Sequence, residues 1–591
     1  MRAEPCIRRR VLSERPDRLP PDLHPVLRRV LLGRGIATSE ALDLGLRRLH
    51  PPTTLGGLGE AAALVADTLC EGGQITVVGD FDADGATGTA LAVRALRAMG
   101  AERVDFRVPN RFEFGYGLTP GLVDTLADAP PDLVITVDSG ICCNRGVERA
   151  RALGVAVLVT DHHLPGETLP AANAIVNPNL PGDPFPSKAL AGVGVVFYLL
   201  SAVRRELTER GWFSGPRKPP RLAELLDLVA LGTIADVVPL DHNNRVLVRQ
   251  GMERIRQGMA CPGLLALLKL GKRDYRFLVA SDLAFAVAPR LNAAGRMEDM
   301  SVGIRCLLSD DPEEATELAG QLDALNRDRR RRQQAMEDEA MAKLRARLRE
   351  LQDREAPPSL CLYDDAWHQG IVGLVASRVK EAVHRPVVVF APESGASGLL
   401  KGSARSVPGL HIRDALALVD ARQPGLIHAF GGHAMAAGLT LAGEQLRAFA
   451  AELERAVETL LGGESLAAEV FTDGELAGVD INLELASALR ELGPWGQHFP
   501  EPLFEGAFEI LDQRVVGGAH LKLVLRPLDA PTAVDAIAFN TLPEDLPDTA
   551  GIRMLYRLDV NHFRGERICQ LVVERVIEPS SDTSGPAAAH P

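Results

Sequence analysis

Three short apolar runs in this chain each end in groups that could hold a cation. Ile75–Gly79 leads into Asp80-Phe81-Asp82-Ala83-Asp84-Gly85, and Leu133–Val137 leads into Asp138-Ser139-Gly140. Val155–Val159 is followed by Asp161-His162-His163. Side chains alternate along an extended segment, so Asp80, Asp82 and Asp84 would point the same way. Crowded carboxylates and imidazoles repel and desolvate one another unless cations compensate them. A carboxylate–imidazole set without thiolates favours Mn²⁺ or Mg²⁺ over structural zinc. Asp236 adds another acid, delivered by the helically spaced run Leu222–Leu231. That many acids suit two ions sharing a bridging carboxylate better than one. A lone acidic turn is common surface decoration, but three such clusters at strand ends are not.

Guanidinium and amide groups supply a second kind of chemistry. Arg111 follows a strand in Pro109-Asn110-Arg111, and Arg290, Asn292 and Arg296 lie within Pro289–Arg296. Arginine suits bidentate phosphate recognition, although isolated arginines are usually surface charge. Three later loops share one composition: Trp367-His368-Gln369-Gly370, Gly402-Ser403-Ala404-Arg405-Ser406 and Gly431-Gly432-His433-Ala434. Their glycines permit close backbone approach, and exposed backbone amides form anion nests. A single Gly-Gly-His is an ordinary turn; three such loops in one small domain point to an anion.

The elements that must position these groups follow from the same pattern. Buried parallel strands read as short apolar runs alternating with helices, and ligands gather beyond their carboxyl ends. The first run leads into a helix ending near Gly100; a strand near Val104–Val108 follows, then Thr119-Pro120 as a helix start. Residues 312–355 are rich in Glu, Arg, Ala, Gln and Leu and predict one or two long connecting helices. A second α/β unit begins near Ser359, with a strand at Pro386–Phe390. From about 466 the texture turns to alternating β-branched runs such as Leu521–Leu525, separated by turns such as Gly517-Gly518, which predicts a small β-barrel. Residues 1–50 read as an appended arm with a short helical part, and Pro579–Pro591 as a disordered tail.

At 591 residues the chain exceeds what one hydrophobic core serves. Its 46% hydrophobic content and mean hydropathy of +0.02 fit an ordinary globular protein. No apolar stretch reaches membrane-spanning length, and no signal-peptide core follows the Arg-rich start. Eight scattered cysteines without a Cys-x-x-Cys pair argue against a zinc ribbon or disulfide framework and suit a reducing cytoplasm. The net charge of −13 leans against a DNA-coating protein. Basic charge is local instead: residues 1–50 hold eleven arginines against six acids, and Arg327 and Arg329–Arg332 form a second cluster.

Together these motifs resemble the DHH phosphoesterase superfamily, from Asp-x-Asp-Ala-Asp-Gly, Asp-Ser-Gly, Asp-His-His and Asp236 to the Gly-Ser-Ala-Arg-Ser and Gly-Gly-His-Ala loops. Trp367-His368-x-Gly-Ile-Val-Gly, Pro289–Arg296 and the terminal β-domain narrow the resemblance to the RecJ family of single-strand-specific exonucleases, over roughly residues 45–575. The resemblance implies an α/β multidomain chain with six parts. These are a basic arm (1–49), a parallel-sheet DHH catalytic domain (50–310) and a helical connector (311–355). A smaller α/β DHH-associated substrate-binding domain (356–464), an OB-like single-strand-binding barrel (465–578) and the tail (579–591) complete it.

It also implies roles. Asp82 and Asp138, with Asp80, would hold one ion; Asp84, Asp138, His162 and Asp236 the other, with Asp138 as bridge. His163 would face the scissile phosphate and act with Asp138 in catalysis, while Asp161 orients its neighbours. Arg111, Arg290, Asn292, Arg296, His368, Ser403, Arg405, Gly432 and His433 would grip the nucleic-acid backbone. The expected reaction is 5′-to-3′ hydrolysis of single-stranded DNA to mononucleotides with two Mn²⁺ or Mg²⁺ ions, in repair and recombination. A cytoplasmic monomer is expected, with a single-strand-binding protein and a helicase as partners and no membrane. The barrel would feed single strand into a narrow channel that excludes duplex. With aromatics only 4% of the chain, backbone contacts should dominate and binding should weaken steeply with salt.

The segment Pro494–Pro502 departs from the family's Pro-Phe-Gly-x-Gly-Asn-Pro-Glu-Pro: His498 and Phe499 stand where that has Gly and Asn. This bears on the mouth of the barrel, not the active site. Competing readings are a family II pyrophosphatase, a phosphoesterase for short oligonucleotides or nucleotide bisphosphates, and a replication scaffold without metal ligands. The first two would need no barrel, and the third would lack acids that are present here.

Overall fold

A computed structural model describes residues 6–110, 113–350, 357–393, 398–462, 469–547, 551–563 and 565–577. The predicted arm is packed against the rest of the chain: from Cys6 to Arg34 the described residues fold onto its far end, while Leu46 and Leu49 pack on the catalytic core. Strand β1 (Cys6–Arg9) pairs in parallel with β12 (Glu469–Thr472). The helix Pro25–Leu32 buries Val26, Leu27 and Val30 in one cluster with Phe504, Leu523 and Tyr556. Much of the arginine excess is neutralised there. Arg34 and Asp473 form a buried two-pronged pair at 2.6 and 3.0 Å, and Arg9 lies 2.9 Å from Glu505.

The catalytic domain is built on a parallel sheet of β2 (Ile75–Gly79), β3 (Val104–Arg107), β4 (Leu133–Val137), β5 (Ala156–Thr160) and β6 (Ala174–Val176). Their order is β3-β2-β4-β5-β6. Every residue of β2 and β4 is buried, as helices on both faces require. Asp82 caps the helix Ala83–Met99 by accepting from the amides of Asp84 and Gly85, both at 3.0 Å, and Gly100 at φ 102° ends it. Thr119 caps the short helix Pro120–Asp124. The helices Gly192–Glu209 and Leu226–Ala235 pack against Ala83–Met99 and bring Asp236 to the sheet's carboxyl edge.

The connector is a single helix, Pro312–Glu350. Its arginine cluster is largely paired on its own surface: Arg327 with Asp323, and Arg331 and Arg332 with Asp328, whereas Arg329 turns inward. The second α/β unit holds β7 (Leu360–Tyr363), β8 (Val387–Pro392), β9 (Leu399–Arg405), β10 (Ala429–Gly432) and β11 (Ala436–Ala442), in the order β10-β11-β9-β8-β7. A closed barrel follows: β13 (Phe504–Val516), β14 (His520–Pro527), β15 (Val534–Ala538), β17 (Glu566–Ile577) and β16 (Gly551–Phe563). At the mouth of the barrel His498 adopts φ 58°, the left-handed conformation a glycine would take, so the altered segment keeps a tight turn. Arg111 and the tail 579–591 lie outside the described residues. Among the described residues no helix is long and apolar enough to cross a membrane.

Candidate metal centre and anion cleft

The strand-end clusters converge. Three overlapping donor groups have ligand atoms within 4.8 Å of one another: Asp80, Asp82 and Asp138; Asp84, His162 and Asp236; and Asp138, His162 and His163. Asp138 and His162 each belong to two groups, so the sets are linked rather than separate. Local backbone explains the convergence. Asp138 sits at the end of β4 with φ 60°, and the Tyr116 hydroxyl donates to its carbonyl at 3.1 Å. Both oxygens of Asp84 accept backbone amides at the start of the helix Gly192–Glu209, from Gly192 at 2.6 Å and Val193 at 3.0 Å. A side chain at Gly192 would collide with Asp138, its Cβ falling 2.6 Å from the Asp138 Cβ. Only glycine lets the two acids approach this closely.

The donor set fits a cation. Asp138 Oδ1, His162 Nε2 and Asp236 Oδ2 are buried and close together, yet none is aligned to make a hydrogen bond. His162 Nε2 lies 3.0 Å from Asp138 Oδ1 and 3.5 Å from Asp236 Oδ2. Burial, with Asp236 and Asp82 nearby, holds Asp84 well above the usual carboxylate range; burial with Asp84 does the same to Asp138. Asp236 is pushed up to about 7 by burial and by Asp82. Burial, with His163 beside it, pushes His162 down to about 4, leaving a neutral imidazole able to ligate. The carboxylates cannot all ionise without added positive charge, and oxygen and imidazole donors suit Mn²⁺ or Mg²⁺.

The Asp161 carboxylate is fully engaged. Oδ1 accepts the amides of His162 and His163 at 2.8 and 3.0 Å and faces His163 Nδ1 at 2.8 Å; Oδ2 accepts the Ile141 amide at 3.0 Å. This agrees with an orienting acid. Burial alone would lower the His163 imidazole, but the Asp161 hydrogen bond and charge outweigh it and hold His163 at about 9. His163 therefore presents a charged ring at the edge of the cluster.

A basic wall stands opposite. Arg296, Gly370, Lys401, Ser403 and Arg405 line a cavity of about 400 Å³ between the two α/β units. Arg405 donates to Ser403 Oγ at 2.9 Å and Ser377 Oγ at 3.2 Å, and Arg296 reaches the Gly370 carbonyl at 3.5 Å. Arg329, donating to Asn326, and Arg405 both feel the charge of Arg296. Among the described residues none of these three guanidiniums has an ion-pair partner within salt-bridge distance. His368 Nδ1 accepts the Gly370 amide at 3.1 Å and so shapes this loop. Gly432, at φ 143°, and His433 lead from β10 to β11, and His433 is near enough to His163 to feel its charge.

One expectation is corrected, and a second residue proves to have a structural bond as well. Arg290 does not face the cleft. It is 8% exposed, donates to Asp323 at 2.9 Å and also bonds the Ala286 carbonyl, tying its helix to the connector. Asn292 lies at the site, but its Oδ1 accepts the Ala83 amide at 2.8 Å, so it holds the Asp82–Asp84 turn in place. Sequence reasoning also missed residues that brace the histidines: Asn177 Nδ2 donates to the His163 carbonyl at 2.9 Å, and Asn179 Nδ2 to the His162 carbonyl at 2.6 Å. Their signal was available, since Asn177-Pro178-Asn179 follows the apolar run Ala174–Val176 just as the acids follow theirs. Tyr116, its ring edge-on to both Phe81 and His163 at 5.9 and 6.2 Å, was marked only by its flanking glycines.

The chain is similar to known proteins along nearly its whole length. Residues 74–233 match the DHH family N-terminal domain, 357–459 the DHHA1 domain and 472–575 the RecJ OB domain. The single-stranded-DNA-specific exonuclease RecJ of Escherichia coli (strain K12) is 49% identical over 579 residues, which cover 98% of this chain and all of that protein. The exonuclease of the same name from Dickeya dadantii is 51% identical over 96% of this chain and 98% of its own length. Among solved structures, RecJ from Thermus thermophilus in complex with Mn²⁺ has a TM-score of 0.78 and 32% identity, covering 97% of this chain and 80% of that one. A second structure of that protein, with Mg²⁺, has a TM-score of 0.73, 31% identity and coverage of 97% and 79%.

Proposed function

This chain belongs to the RecJ family of single-stranded-DNA-specific exonucleases, and from that premise we propose that it degrades single-stranded DNA from the 5′ end to mononucleotides, using two Mn²⁺ or Mg²⁺ ions. The observation that carries this reading is the sharing of Asp138 and His162 between linked donor groups, beside a wall of guanidiniums without ion-pair partners. Asp80, Asp82 and Asp138 would hold one ion, and Asp84, Asp138, His162 and Asp236 the other. Bound there, the ions would supply Lewis acidity to activate water and offset charge on the phosphate.

The chain's own residues do the rest. Asp161 fixes the orientation of His163 and keeps it protonated, so that the imidazolium stabilises negative charge on the phosphate or returns a proton to the leaving oxygen. Arg296, Arg405 and Ser403 hold a backbone phosphate across the cleft, with His433 closing on it from the second unit; Arg111 and His368 belong to the same grip. The barrel leads single strand towards the cleft. Cytoplasmic location, a monomeric state, a role in repair and recombination, and partnership with a single-strand-binding protein and a helicase complete the proposal.

Digestion of a single strand labelled at either end, with Mn²⁺ or Mg²⁺, tests it. A 5′ label should be released first, as a mononucleotide. Release of the 3′ label first would refute the polarity, and preference for dinucleotides would refute the substrate.

A further inference from the structure

Arg245 lies on the helix His242–Arg256, downstream of Asp236. It is 2% exposed, and its Nε and Nη1 are buried without hydrogen-bond partners. Its close partner is an aromatic face: the guanidinium carbon is 4.0 Å from the ring centroid of Phe499. Phe499 in turn stacks on Trp495, with centroids 5.0 Å apart and planes inclined by 12°, and Arg34 stands 5.3 Å over Trp495. The result is a ladder, Arg245–Phe499–Trp495–Arg34, joining the catalytic domain, the mouth of the barrel and the N-terminal segment. A buried guanidinium with unbonded nitrogens is costly, and a ring face is the group here that offsets the cost. Burial holds Arg245 down at about 10, with Arg249 adding to it.

The same barrel segment is pressed onto the residues that follow Asp236. The Leu240 amide donates to the Gln497 carbonyl at 2.8 Å, and a Cβ at Gly496 would fall 2.8 Å from Leu240 Cδ1. Between Asp236 and Leu240, the β-branched Val237 is 62% exposed yet held at φ 61°. Such a residue adopts the left-handed region only where its surroundings impose it.

We infer that Phe499, acting through Arg245, is a positioning residue for Asp236. The ladder and the Leu240 contact clamp the segment that follows this acid, so docking of the barrel mouth sets where its carboxylate points. The inference rests on Asp236 being a ligand, as proposed above. It also gives a use to Phe499 at a position where the family pattern has Asn.

The test is titration of the metal-free full-length protein with Mn²⁺ alone, by calorimetry, alongside thermal melting and steady-state kinetics. Phe499→Leu keeps the apolar bulk and removes the ring face; Mn²⁺ affinity should fall about tenfold, with kcat reduced and KM for single strand unchanged. Phe499→Tyr keeps the face and should retain the unmodified affinity. The double variant Phe499→Leu with Arg245→Leu should recover affinity, because it leaves no buried charge unpaired. If Phe499→Leu binds Mn²⁺ as the unmodified protein does while melting lower, or if the Leu and Tyr variants lose affinity equally, the inference is overturned. Asp236→Ala separates the two layers: if it too binds Mn²⁺ normally, the ligand assignment itself has failed.

Discussion

The two walls of the cleft are unbalanced in opposite senses. On the catalytic domain, five aspartates and two histidines crowd together with too little positive charge, leaving buried ligand atoms of Asp138, His162 and Asp236 unpaired. Beside them, Arg296 of the catalytic domain, Arg329 of the connector and Arg405 of the second α/β unit gather without a described acid within ion-pair distance, Arg296 and Arg405 lining a cavity of about 400 Å³. Other buried arginines are paired with acids, as at Arg34–Asp473 and Arg290–Asp323, or stacked on a ring, as Arg245 is on Phe499. Folding alone therefore satisfies structural arginines and leaves these two groups incomplete. A metal-bound phosphodiester would complete both, supplying cations to one group and an anion to the other.

Substitutions can break the contrast. Asp138→Ala removes the donor common to two groups and should lower nuclease activity about a thousandfold or more in a steady-state assay with Mn²⁺. Arg405→Ala should weaken single-strand binding about tenfold or more, and the slope of log affinity against log salt should shrink by about 1. Arg405→Lys should not restore it, because lysine lacks the fork that engages both serines and a phosphate. Arg290→Ala should do the reverse, costing about 2 kcal/mol in denaturant unfolding while leaving the salt slope unchanged.

The smallest effect is on the metal-free protein. Asp236 at about 7 and His163 at about 9 both lie above their ordinary values, so between about pH 8 and pH 6.5 the folded state binds more protons than the unfolded chain. Stability in chelator should therefore rise modestly as pH falls through that window. Below it His162, held at about 4, opposes the trend, because the unfolded chain then takes up the proton. Melting curves with and without Mn²⁺ check this; saturating metal should reverse the rise, since protons compete with it for the same carboxylates.

The candidate metal cluster was legible because most of its residues stand where a short apolar strand ends, with Asp236 at the end of a helix. The same locality explains what was misread. On the helix Ala288–Met297, Asn292 and Arg296 are four residues apart and share the face towards the cleft. Arg290 is two residues from Asn292, hence on the opposite side, where Asp323 awaits it. Composition grouped all three; helical period separates them. The N-terminal segment was misread for a different reason. Its strand pairs with one more than four hundred residues later, and no local pattern reveals a parallel partner at that distance. The barrel, by contrast, announced itself through local alternation, clearest in the buried pattern of His520–Pro527.

The most direct test of the central claim is the number of Mn²⁺ ions bound per chain, measured by calorimetry or by electron paramagnetic resonance on the full-length protein. Two ions are expected, with the Asp138→Ala variant losing at least one of them. Two ions bound with unchanged affinity in that variant would contradict a shared site built around Asp138.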